Sequence, residues 1–222
     1  MTSVAGTGWN ARPDGPAHFG WFQSFVDLHL APERFFGKRI PTASTLAAVW
    51  TIGAASVIDR IDTMMLRADS SIALGSLQVT DSWAALWLAV VVGGLVVGPL
   101  YWALGGWWYA LRLRWCGVAG PERREAYRLN LFTNGVAAWP TLLVTLLSTL
   151  LYDSYRSASL AVGIEWIYLL APPFWSIWVS YRAVRTGLRV DPRRARLWFA
   201  ILPSLAFGSA LALFFAAGVA SA

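Results

Sequence analysis

Thirty consecutive residues, Ser82 through Leu111, pass without a single charged side chain. As an α-helix rising 1.5 Å per residue, that run is about 45 Å long, more than the roughly 30 Å hydrocarbon core of a bilayer. A soluble domain of 222 residues cannot hide such a run together with others like it, because a small domain must show water a largely polar skin. The composition agrees. The chain is 57% hydrophobic and 14% charged, against about 25% charged for a soluble domain, and its mean hydropathy is +0.51. A soluble enzyme, a soluble binding module and a disordered tail are thereby excluded, and an all-α, polytopic integral membrane protein is expected.

Five stretches qualify as membrane spans, at about 42–61, 82–113, 130–151, 160–181 and 197–219. The second is too long to stand upright, and Gly98-Pro99 and Gly105-Gly106 are where a bend is expected. The fourth is interrupted by Pro172-Pro173, which predicts a second kinked span, and Pro140 and Pro203 fall inside the third and fifth. Asp191-Pro192 reads as a capping carboxylate before a first-turn proline, leading into the fifth span. Pro121-Glu122 and Pro41 open the third and first spans in a similar way. The chain thus divides into a cytoplasmic N-terminal segment, 1–41, and a five-helix membrane domain, 42–222.

Charge predicts orientation. The chain has seventeen arginines, one lysine and a net charge of +6. Fifteen of these eighteen basic residues lie in the N-terminal segment, after span two or after span four, among them Arg123, Arg124, Arg193 and Arg194. Only Arg60, Arg67 and Arg156 fall on the other side. The positive-inside rule then makes the N-terminus cytoplasmic and, after five crossings, leaves the C-terminus outside. No basic segment followed by a short apolar core opens the chain, so no cleaved signal peptide is expected. The implied location is a membrane with the arginine-rich side facing the cytoplasm. In this setting the basic charge points to orientation and acidic headgroups, not to nucleic acid.

Outside the spans, residues 20–31 form a two-faced helix. Trp21, Phe22, Phe25, Val26 and Leu28 gather on one side, with Gln23, Ser24 and Asp27 opposite. Such a helix either lies in the cytoplasmic interface, aromatic face down, or packs on the bundle's own cytoplasmic ends. Within the spans, Gly94 and Gly98 form a GxxxG that lets another helix come close, either inside the bundle or in a homodimer. Most of the fourteen tryptophans fall near the two interfaces, whereas Trp50 and Trp139 fall deeper. Glu165 is the ionisable residue well inside an apolar stretch, where a charge is costly. With Asp59, Arg60, Asp62 and Arg156 it predicts an outer polar cluster, Glu165 pairing with Arg60 or Arg156. The alternative is a proton or cation step at Glu165.

Catalytic and cofactor chemistry find little footing. His18 and His29 both precede the first span, and Cys116 is alone, so a bis-histidine haem and the usual His/Cys metal sites cannot be assembled. Lys38 is followed by Arg39, which excludes a P-loop, and neither histidine can serve an intramembrane nucleophile. No catalytic residue, cofactor or metal is assigned, and no enzymatic activity is expected.

The order of certain segments carries a resemblance. Leu30-Ala31-Pro32 with Phe35-Phe36 precedes span one, and Gly105-Gly106 leads to Arg112-Leu113-Arg114 and Gly117. Pro140 follows in an A-x-P setting, and then Phe174-Trp175-Ser176-Ile177-Trp178, Gly187-Leu188-Arg189 and Arg194-Ala195. From about Phe25 to the C-terminus the chain resembles the Yip (Ypt-interacting protein) membrane family in its bacterial form. The D-L-Y-G-P-type signature of eukaryotic members is absent. The resemblance implies a cytoplasmic N-terminus, five helices, no enzymatic activity and binding to other membrane proteins; some bacterial members accompany ABC-type exporters. The expected function is therefore a non-enzymatic membrane accessory or scaffold protein. Its partners would be acidic lipids and either other membrane proteins or further copies of itself. A small transporter or channel using Glu165, or a peripheral subunit of a respiratory or photosynthetic complex, are the alternatives.

Overall fold

The computed structural model describes residues 20–37, 42–66, 73–74, 77–118, 120, 123–161, 166–188 and 190–220. These are almost wholly helical. Two short helices, α1 (Trp21–Leu30) and α2 (Pro32–Gly37), lead into α3 (Thr42–Leu66). Two-residue strands β1 (Ala73–Leu74) and β2 (Leu77–Gln78) pair antiparallel before α4 (Trp83–Trp115). Then follow α5 (Arg123–Leu151), α6 (Tyr155–Leu160), α7 (Trp166–Gly187), α8 (Pro192–Arg196), a π-helical turn at Leu197–Ile201, and α9 (Leu202–Ala220). Three stretches among the described residues, Trp83–Trp115, Arg123–Leu151 and Pro192–Leu213, are long and apolar enough to cross a membrane, the mark of an integral membrane protein.

The helices run longer than the spans read from sequence. α3 continues to Leu66, and α5 begins at Arg123, seven residues before its apolar run, because its polar first two turns are packed into the bundle through Ala126 and Leu129 while Arg123 and Arg124 face outward. The stretch read as one span from 160 is divided: α6 ends at Leu160 and α7 starts at Trp166. Pro99, Pro140 and the Pro172-Pro173 pair all remain inside their helices.

Two close approaches fix the core. α3 and α4 run antiparallel with glycine on both sides of the crossing: a Cβ on Gly53 would lie 2.8 Å from Gly98 Cα, and one on Gly94 would lie 3.1 Å from Ala54 N. At this distance backbone meets backbone, which only glycine permits. α4 and α5 then pair antiparallel, held at one end by Trp83 Nε1 donating to Tyr152 O (2.7 Å) and Trp87 Nε1 donating to Thr149 Oγ1 (3.1 Å). Leu86, Val90, Leu113, Leu131, Val136, Val179, Val184 and Phe199 fill the centre.

The two ends of the bundle differ in chemistry. At one, α4 stops in a Schellman motif: Gly117 sits at φ 89°, its N–H bonding to Arg114 O and that of Val118 to Leu113 O. α8 packs beside it, Cys116 Sγ donating to Arg194 O at 3.7 Å, and Asp191 caps α8 through Arg193 N, with Pro192 in the first turn as the sequence predicts. At the other end, Ser154 and Ser157 form a reciprocal capping box that starts α6.

α1 and α2 fold back along α5 and α7. Phe35 stacks edge-on against Phe132, and Phe25 against Trp139, sixteen residues into α5. Ser24, Asp27 and Leu28 point inward, Asp27 only 4% exposed and accepting from Gln23 Nε2 (2.9 Å), while Phe22 is 80% exposed. For a helix in water this arrangement is inside out; for one against lipid it is the ordinary one.

Candidate functional site

Between α4, α5, α7 and the π turn lies a cavity of about 100 Å³, lined by Tyr109, Arg112, Thr133, Asn134, Ser176, Ile177, Ser180, Phe199 and Pro203. Its construction begins with Pro203. In the π turn, Leu202 N–H reaches back five residues to Leu197 O. The next donor in that register, for Trp198 O, is residue 203, and proline has no N–H. Arg112 takes up the orphaned carbonyl, donating from Nε at 3.1 Å and also from Nη2. Its guanidinium lies 4.1 Å from the Phe199 ring centroid and 5.5 Å from that of Tyr109, two cation–π contacts.

The remaining lining is polar but uncharged. Tyr109 Oη and Ser180 Oγ share a buried hydrogen bond of 2.9 Å, and Ser176 Oγ donates to Thr133 O at 2.7 Å. Asn134 Nδ2 donates to Asn130 O and Oδ1, at 2.8 and 3.0 Å. Among the described residues no Asp or Glu lines the cavity, and none lies within 4.0 Å of Arg112. By sequence Arg112 counts with the basic residues at and after the end of span two. The structure seats it on the packed side of α4, where it joins α4 to the start of the last helix. The signal that could have found it is Pro203 five residues after Trp198, but which side chain meets the freed carbonyl is a tertiary fact.

The residues singled out from sequence fall elsewhere. In the predicted outer cluster, Asp62 accepts from Tyr155 Oη (2.5 Å) and Arg156 forms an ion pair with Asp81 (3.0 Å). Arg60 and Asp59 are exposed, Arg60 without a partner among the described residues, and Glu165 lies outside those residues. Asp81, which sequence reasoning missed, sits beside Thr80, whose carbonyl also receives Arg156 N–H (3.0 Å). Gly94 and Gly98 face α3. The Trp21 side chain is outside the described part, and Phe25 is exposed beside His29 and Trp139.

Arg123, Arg124, Arg193 and Arg194 are all exposed at the Gly117 end, with Arg123 over the Tyr127 ring at 5.8 Å and Arg194 reaching Asp191 at 4.0 Å. The same end holds the Arg182–Glu33 ion pair (3.4 Å), and Arg128 donates to Phe36 O, so α2 is tied to α7 and α5. Burial pushes the Cys116 thiol above its ordinary range, and the nearby Arg112 and Arg194 offset this only in part. The thiol is therefore neutral at pH 7 and structural in character.

No protein family, curated protein or solved structure matches this chain.

Proposed function

We propose that the chain is a non-enzymatic membrane accessory protein that crosses a bacterial cytoplasmic membrane five times, its second and fourth spans kinked at their prolines. Its N-terminus lies on the cytoplasmic side with the arginine-rich end, and it binds another membrane chain through its last helix. The resemblance to the bacterial Yip family points the same way. One observation carries the reading. α9 leaves the bundle after its first turns, touching it at Phe207, whose ring meets Phe174 edge-on at 5.3 Å. On either side of Phe207 its described side chains are largely open, Leu205 and Leu213 among them.

Along this open helix Ser204, Gly208 and Ala212 recur every four residues, the spacing that lets a second helix approach closely, and a Cβ on Gly208 would meet nothing within 4 Å. Exposure to lipid alone does not require small residues in register; a partner helix does. The test is disulfide cross-linking in native membranes, with Cys116→Ser as background and single cysteines at positions 204, 208 and 212. A covalent adduct with a second membrane chain, strongest at 208, is expected. Monomer alone at all three positions would contradict the reading.

A further inference from the structure

We propose that the cavity beside Arg112 binds one phosphate-type oxyanion, which in the membrane is the headgroup phosphate of an acidic lipid. The inference rests on the membrane reading above and adds a ligand class and a residue to it.

The guanidinium is half-used. Nε and one N–H of Nη2 are spent on Trp198 O, which leaves the end-on edge, Nη1 and the second N–H of Nη2, with no partner among the described residues. Two parallel N–H groups on a planar cation match two oxygens of a carboxylate or phosphate, the geometry in which arginine binds anions best. Such a cation among packed helices is costly unless a counter-charge reaches it, and the two aromatic rings supply only part of that. Among the described residues no carboxylate faces the cavity, so the counter-charge has to come from outside.

The lining can add a second contact. In the Tyr109–Ser180 pair one hydroxyl proton is committed to the mutual bond, which leaves the other to donate. At about 100 Å³ the cavity is well below the roughly 300–1,000 Å³ of a small-molecule site, so it accepts one anionic group and not a whole molecule. Its level along the bundle identifies the source. Arg112 lies one turn from the end of α4, and beside it Trp108, Trp115 and Trp198 form a chain of ring contacts at 5.5 and 4.5 Å, with Trp108 and Trp115 exposed. Exposed tryptophans of this kind sit at headgroup depth.

The test uses the full chain in a neutral detergent, stripped of lipid, and follows thermal unfolding with phosphatidylglycerol, phosphatidylcholine or inorganic phosphate added. Phosphatidylglycerol is expected to raise Tm by several degrees in the parent and in Arg114→Gln, the exposed neighbour, and to leave Arg112→Gln unchanged. Equal stabilisation of Arg112→Gln would overturn the proposal. Should Arg112→Gln not fold, Asn134→Asp decides, because it places a carboxylate in the lining. It is expected to abolish the response to phosphatidylglycerol, and a full response in that variant would overturn the site. Stabilisation by inorganic phosphate with none by phosphatidylglycerol would keep the oxyanion site and overturn the lipid as its source. A chain that stayed soluble without detergent would defeat the membrane reading while leaving the response to inorganic phosphate intact.

Discussion

At Gly53, Gly94 and Gly98 two helix backbones touch where any side chain would hold them apart. A Cβ on Gly98 would run into Val49 O, and neither backbone can step aside without moving a whole helix. Gly98→Leu is therefore expected to cost about 1–3 kcal/mol, the range of overpacking in a tight core. It should appear as a lowered Tm in detergent. Gly135 makes the contrast within the same measurement. It sits inside α5 at an ordinary helical φ, with nothing within 4 Å of where a methyl would stand, so Gly135→Ala is expected to gain about 0.5–1 kcal/mol. A neutral Gly98→Leu would mean that the two helices do not meet there. Gly94 and Gly98 were legible in the sequence because their spacing in an apolar run signals close approach. Gly53 was not, since one glycine in TIGAAS carries no periodic mark and its role depends on which helix lies opposite.

Among the elements, the junction from α8 through the π turn into α9 shows how a local rule can hide a tertiary contact. The start of this unit was readable: Asp191-Pro192 predicts a capped helix, and Asp191 does accept from Arg193 N. The π turn was not, because its register depends on Leu202 bonding to Leu197 and on Arg112 arriving at Trp198 O from α4. This dependence is testable by a double-mutant cycle. Pro203→Ala supplies an N–H where the proline has none, giving Trp198 O a backbone donor. Arg112→Gln is then expected to destabilise the Pro203→Ala protein less than the parent, with a coupling of roughly 0.5–3 kcal/mol in denaturant unfolding. Strict additivity would show that the carbonyl does not depend on Arg112. The α1–α2 hairpin was half legible. Its two faces were evident from residue spacing, but which face turns inward follows from contacts with α5, such as Phe25 against Trp139.

Over the whole molecule, apolar length carries most of the architecture. Three helices among the described residues are long and apolar enough to cross a membrane, and the turn at Gly117 and Gly120, α8 and the α2–α7 ion pair share one end of the bundle. The opposite end is knit by Tyr155 to Asp62 and Arg156 to Asp81; the sequence named Asp62 and Arg156 for this end but neither Tyr155 nor Asp81, because partners across loops depend on how the chain returns. Every functional statement above requires a bilayer between these two ends, with the arginines on the cytoplasmic side. Labelling with a membrane-impermeant maleimide, in intact cells and in inverted vesicles, decides whether it lies there. The background is Cys116→Ser, with single cysteines at Gly120, Arg193, Asp153 and Ala222. Gly120→Cys and Arg193→Cys are expected to react only in inverted vesicles, and Asp153→Cys and Ala222→Cys only in intact cells. Labelling of positions 120 and 153 from the same side, or of 120 and 193 from opposite sides, would contradict that arrangement.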